Sequence, residues 1–111
     1  MGLDCLWKDK NNDDASVDRE FNVCGGICSD NGTTSFRAKV YHDLVKQASG
    51  VSLYQDIIDN ETCREILECL EKFDLNEYHN PWNLIEKDEF EDLKEMFRAH
   101  VEKGHHLVAW W

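Results

Sequence analysis

The sequence lacks a long apolar segment, and this absence bears on membranes and on secretion. No apolar run approaches the roughly 20 residues that a membrane-spanning helix requires. Asp4 and Asp9 already place charge where a secretory signal would have its apolar core. Position 6 is Leu, whereas a myristoylation motif that starts at Gly2 would have Ser or Thr there. We therefore expect no association with membranes and a cytoplasmic location.

The sequence also has little positive charge. Its 12 Lys and Arg residues stand against 23 Asp and Glu residues, which gives a net charge of −11. Binding to nucleic acid or to anionic lipid normally depends on Lys and Arg replacing counterions, so this balance argues against direct contact with either. It favours a protein partner with a basic surface, a cation or a neutral small molecule, although acidic residues also serve solubility alone.

The cysteines do not form the pattern of a disulfide scaffold or of a metal centre. Five is an odd number, and thiols in a reducing compartment usually stay free and pack as small apolar groups. Cys24 and Cys28 have a spacing that zinc sites use, but no second Cys pair of matching form occurs. The histidines that would have to complete such a site are His100, His105 and His106. We predict no metal and no cofactor.

The supply of apolar side chains is sufficient for one folded domain. With 111 residues, of which 41% are hydrophobic and 11% aromatic, the chain can bury a core without metal or disulfide. We expect one compact domain over residues 1–111, with the polar stretch 8–20 as an exposed loop.

Alternation of apolar and polar residues predicts strands. Leu3, Cys5 and Trp7 alternate in the first segment, and Phe21 with Val23 indicates a second strand. Residues 51–54 indicate a short third strand or an extended connection. Two strands before any helix favour antiparallel pairing.

Three segments have the spacing of amphipathic helices. The first ends at Gly50, the second is capped by Asp59 or Asn60, and the third ends at Gly104. Their inner positions are Phe36, Val40, Leu44 and Ala48, then Cys63, Ile66, Leu67, Leu70 and Phe73, then Phe90, Leu93, Phe97 and Val101. We predict an α+β fold in which a small, largely antiparallel sheet, including the N- and C-terminal strands, packs with these three helices.

The C-terminal strand is apolar on both faces. Val108 and Trp110 point to one side, and Leu107, Ala109 and Trp111 point to the other. Such a strand is either central and covered on both sides or lies against another chain. We expect Val108 and Trp110 in the core, and we expect the other face to make a homodimer contact.

The segment at 29–39, SDNGTTSFRAK, is the first candidate site. A turn that feeds a helix start offers backbone N–H groups to an anion, and Thr34 or Ser35 would cap the helix. The candidate anion-binding residues are Gly32, Thr33, Thr34, Ser35 and Arg37. The segment does not match the phosphate-binding motif with a Gly-Lys pair, and an ordinary loop before a capped helix is the alternative.

The acidic outer face of the third helix is the second candidate. Asp88, Asp92 and Glu95 share one stripe by helical spacing, with Glu91 and Glu102 at its edge. Like charges four residues apart repel, and a sequence optimised for stability alone would place Lys between them. This pattern favours a basic partner, and a solvated helix face is the alternative.

These features rank two functions. The first is a non-enzymatic protein-interaction or regulatory module that acts through the acidic helices, with a homodimer through the C-terminal strand. The second is a binder of small phosphate-type anions, or an enzyme, centred on residues 29–39. A concave pocket lined by Arg37 and residues 33–35 would favour the second function. The aromatic-rich loop 78–82 would either rim a pocket or close the edge of the core.

Overall fold

The first and last strands of the chain pair with each other at the centre of an antiparallel sheet. A computed structural model describes residues 3–26, 31–80 and 84–110. Strands β1 (Asp4–Lys8) and β4 (His106–Trp110) pair along their full length. Two-residue strands β2 (Ser35–Phe36) and β3 (Ile57–Ile58) complete the order β2-β1-β4-β3, and every pairing is antiparallel. The predicted pairing of the terminal strands is confirmed.

Three helices account for the rest of the regular structure among the described residues. They are α1 (Ala38–Ser49), α2 (Asn60–Lys72) and α3 (Lys87–Glu102), with a single 3₁₀ turn at Leu75–Glu77. Gly50 ends α1 in the left-handed conformation, and the Asp59 side chain caps α2 by accepting from the Thr62 N–H at 2.7 Å. The predicted α+β class is confirmed.

All three helices lie on one face of the sheet. This inner face carries Cys5, Trp7, Phe36, Ile58 and Leu107, all of which are buried. The helix side chains that reach it are Tyr41 of α1, with its ring 6.2 Å from that of Phe36; Cys63 of α2, 3.6 Å from the Ile58 carbonyl; and Phe97 of α3, 5.3 Å from the Trp7 ring. The core therefore fills the space between the sheet and a single helical layer.

The inward face of β4 is the opposite of the one predicted. Antiparallel pairing places Trp7 opposite Leu107, so Leu107 shares the inner face and is 1% exposed. Val108 is only half-buried and Trp110 is 62% exposed, and the expectation that both are core residues is wrong. The partner strand decides this parity, because either face of the segment is apolar. Trp111 lies outside the described residues.

The second strand forms at a different position from the one predicted. Phe21 and Val23 are buried, but they are not in a strand, and β2 lies at Ser35–Phe36 instead. The backbone of the 21–24 segment bonds to helix side chains: the Asn22 N–H donates to Asp92 Oδ2 at 2.6 Å, and the Cys24 N–H donates to the Tyr41 hydroxyl at 2.8 Å.

The start of α1 and the position of the third strand also differ from the sequence-based expectation. Because Ser35 belongs to β2, it does not cap α1, which begins at Ala38 after Arg37 without a side-chain cap. The third strand forms at 57–58 rather than at 51–54.

The polar stretch 8–20 is mostly exposed, but part of it enters the core. The Asp9 carboxylate accepts N–H bonds from Asn11 and Asp13, and the bond from Asp13 is the main reason that its pKa is lowered. Ala15 and Val17 are buried, and the Ala15 N–H donates to the Trp7 carbonyl. In the described ranges no helix is both long and apolar enough to cross a membrane.

Candidate functional site

The outer face of the sheet carries a continuous row of apolar side chains. Directly paired residues of an antiparallel sheet point to the same side, and Val108 is paired with Leu6 on one flank and with Ile57 on the other. Trp110 follows two residues after Val108 on the same side. We call these four residues, Leu6, Ile57, Val108 and Trp110, the open face, since the helices lie on the other side of the sheet.

Water reaches the open face. Ile57 is 61% exposed and Trp110 is 62% exposed, while Leu6 and Val108 are half-buried between them. Single exposed apolar residues are common on folded proteins, but a contiguous row across three strands indicates a contact surface. Tyr54 and Leu84 are also exposed, and both lie outside the strands.

The polar residues around the open face balance one another in charge. Asp4 Oδ1 lies 3.4 Å from Arg37 Nε, and Lys8 Nζ donates to Asp14 Oδ1 at 2.5 Å. Asp4 and Lys8 are the only acidic and basic residues in the four strands. The sheet therefore presents a neutral apolar surface on a strongly acidic chain.

The backbone donors of the predicted anion-binding segment already have acceptors within the protein. The N–H of Gly32 donates to the Ser35 carbonyl, and the N–H of Arg37 donates to the Cys24 carbonyl, each at 2.9 Å. The Thr33 hydroxyl donates to the Arg19 carbonyl at 2.8 Å. An anion would have to displace these bonds. Residues 29 and 30 of this segment lie outside the described ranges.

The remaining members of that segment are integrated into the sheet. The Thr34 carbonyl accepts from the Trp7 N–H at 2.7 Å, and Ser35 is fully buried opposite Leu6. The Arg37 guanidinium is half-exposed beside Asp4. Anion binding stays a prediction, and the geometry gives these residues a structural role.

Two clefts lie elsewhere, around the segment 73–85. One of about 490 Å³ is lined in part by Tyr78, His79 and Asn80, and another of about 330 Å³ lies between the 73–76 segment and the start of α3. None of the five predicted anion-binding residues lines either cleft. The aromatic-rich loop thus rims a concavity, although Pro81 and Trp82 themselves lie outside the described residues.

Three of the five carboxylates predicted to form an interaction face are engaged within the protein. Asp92 accepts from the Asn22 N–H, Glu91 pairs with Lys94 at 2.9 Å, and Glu95 pairs with Arg98. Among the described residues, Asp88 and Glu102 have no hydrogen bond or ion pair, and both are exposed. A basic partner on α3 stays a prediction, and these two carboxylates are the ones available to it.

A buried tyrosine–carboxylate pair supports the same region and was not anticipated from the sequence. The Tyr41 hydroxyl donates to Glu89 Oε2 at 2.5 Å and accepts from the Cys24 N–H. Burial and the bond to Glu89 raise the pKa of Tyr41. Since residues 41 and 89 are 48 positions apart and the pairing follows from tertiary packing, no local pattern announces it.

Two buried histidines join the end of α3 to the start of β4. His100 Nε2 lies 2.9 Å from the Gly32 carbonyl oxygen, which can only accept, so Nε2 carries the proton. Neutral His100 therefore accepts at Nδ1 from His105 Nδ1, 2.8 Å away. The His100 ring stacks on Trp7 at 4.3 Å, and burial, followed by the charge of Lys103, lowers the pKa of His105.

The cysteines show no arrangement suited to nucleophilic catalysis or to metal binding in the described part of the chain. Burial raises the pKa of Cys5 and of Cys63 to about 12, which leaves little reactive thiolate at neutral pH. No group of three or more His, Cys, Asp or Glu side chains could hold a metal ion within residues 3–26, 31–80 and 84–110. Cys28 lies outside these ranges.

Comparison with known proteins gives no family for this chain. No protein-family model matches it, and neither a curated protein nor a solved structure shows significant similarity to it.

Proposed function

We propose that this protein is a non-enzymatic protein-interaction module that binds its partner through the open face. The observation that carries the proposal is the exposure of Ile57 and Trp110, about three-fifths of each side chain, in one row with Val108 and Leu6. Apolar side chains that meet water in a contiguous row gain free energy when a second surface covers them.

A binding role rather than catalysis is supported by the state of the reactive side chains. Cys5 and Cys63 are buried with raised pKa values, and the His100–His105 pair is buried and internally hydrogen bonded. The four cysteines that the structure describes are all free thiols. A reducing, cytoplasmic environment therefore belongs to the same proposal.

Affinity capture with matched variants tests the proposal. Tagged full-length protein is used to capture proteins from its native source, and three variants are compared with the wild type by quantitative mass spectrometry. The double variant I57K/W110K places charge on the open face. L84K, at a residue that is 85% exposed outside the sheet, makes the same kind of change elsewhere.

The third variant, D88K/E102K, separates the two candidate surfaces. We expect a protein that the wild type, L84K and D88K/E102K all retain and that I57K/W110K loses. If every captured protein persists with I57K/W110K, the open face is not the binding surface. If D88K/E102K alone releases the captured protein, the acidic surface of α3 takes its place and the partner is basic.

A further inference from the structure

We infer that the partner of the open face is a second copy of this chain, packed sheet to sheet; this inference rests on the proposed function above. The distribution of charge is the first argument. Helix α2 carries four acidic and two basic residues, and α3 carries six acidic and three basic residues, so the helical layer repels another copy. The sheet is the side on which two such chains can meet without facing like charges.

Packing through the open faces also keeps the acidic layers apart. Two sheets in contact lie about 10 Å apart, with the helices of each copy on the outer sides. The separation between the two helical layers then exceeds the Debye length of about 8 Å at physiological ionic strength. A heterologous basic partner would instead be drawn to the helices, where the negative charge lies.

The shape of the row suits a two-fold arrangement. A two-fold interface presents the same patch from both copies, so it needs a surface that is complementary to itself. A row of aliphatic side chains across β1, β4 and β3, ended by one indole ring, meets that requirement because it contains no charge to be mismatched. The nearest charged groups, Asp4 with Arg37 and Lys8 with Asp14, are already paired within each copy.

The size of the patch sets the strength of the expected dimer. An aromatic side chain presents about 150–250 Å², so the exposed part of Trp110 is on the order of 100–150 Å². Stable interfaces bury at least about 1,200 Å² in total, which the row reaches only together with its polar surroundings. We therefore expect a dissociation constant in the range of about 1–100 µM.

Sedimentation velocity of the full chain over a range from about 1 to about 500 µM tests the inference. Wild type and L84K should change from 13.0 kDa to twice that mass with rising concentration. I57K and W110K should remain monomeric, or dimerise at least about tenfold more weakly. Circular dichroism checks that each variant keeps the wild-type fold, which we expect because both side chains are exposed.

Two further measurements identify the surface. I57K mixed with I57E should dimerise more strongly than either variant alone, because opposite charges then meet across the interface. Added salt should strengthen the wild-type dimer, since each copy carries a net charge of −11. A dimer that salt weakens, or that forms equally well in I57K and W110K, would overturn the inference.

The outcome for the dimer is separable from that for the proposed function. A wild-type chain that stays monomeric at about 500 µM overturns the second copy as partner. If the capture experiment still shows a protein lost only by I57K/W110K, the open face binds a different protein and the proposed function stands. If capture is insensitive to that variant as well, both ideas fail.

Discussion

Replacement of Gly32 by Ala separates a structural role of the 31–37 segment from an anion-binding one. Gly32 has a φ of +86°, which side chains other than glycine adopt at a cost of about 1–2 kcal/mol. A Cβ atom there would lie 2.8 Å from Met96 Sδ and 3.0 Å from Phe21 Cδ2. Both neighbours belong to the buried core, and overpacking of this kind costs about 1–3 kcal/mol. Together the two effects predict a loss of about 2–5 kcal/mol.

Gly50→Ala is the matched control for the backbone contribution. Gly50 has a φ of +77°, and a Cβ atom there would meet nothing within 4 Å. Its replacement should therefore cost only the conformational strain of about 1–2 kcal/mol. The difference between the two variants isolates the packing of Gly32 against Met96 and Phe21.

Urea unfolding followed by tryptophan fluorescence measures both variants. We expect a lower midpoint for Gly32→Ala than for Gly50→Ala, with unchanged m-values and with the same difference in phosphate and in chloride buffers. Equal losses for the two glycines would refute the packing argument, because Met96 and Phe21 would then move aside without cost. A loss that appears in phosphate alone would assign Gly32 to an anion site.

Three other predictions follow from the same contacts. Burial lowers the pKa of His105 below its ordinary 6.5, so the unfolded chain takes up the proton first and stability should fall as pH decreases from about 7 through 6.5; His105→Gln keeps a donor for His100 and should flatten this dependence in urea titrations, and an unchanged slope would contradict it. Tyr41→Phe leaves the Glu89 carboxylate and the Cys24 N–H without their partner and should cost about 1–3 kcal/mol; a loss below about 0.5 kcal/mol in the same assay would show that water replaces the hydroxyl. Because the Gly32 and Arg37 N–H groups already donate to carbonyls, phosphate should not raise the melting temperature beyond an equal ionic strength of chloride; a phosphate-specific rise that Arg37→Ala abolishes would establish the anion site.

The helices were predictable because their signals are local. The apolar spacing of α2 and α3 places the side chains on one stripe whatever lies opposite, and Gly50 and Asp59 mark ends through their own backbone and side-chain chemistry. The strands lacked this independence. Phe21 and Val23 alternate like strand residues, yet the acceptors that hold their segment are Asp92 and Tyr41, which are distant in sequence.

The candidate surface was predictable only in part, for the same reason. Two apolar faces on the last strand indicated that one of them is available for a contact, but not which one. Pairing of Leu107 with Trp7 fixes the parity of β4, and the short strand β3 then places Ile57 beside Val108. Ile57 had no distinguishing feature in the sequence, since its exposure depends on all three helices lying on the other face.

Exposure on the outer face separates the energetics of association from those of folding. Ile57 and Trp110 contribute little to the core, so their replacement should change the stability of the monomer by less than about 0.5 kcal/mol. Binding to the folded state alone adds stability that rises with concentration, so the melting temperature of the wild type should increase with protein concentration. The variants I57K and W110K should lack this increase while matching the wild type at high dilution. Trp7, on the inner face of the same sheet, is buried beneath α3, and its replacement would lower the stability at every concentration.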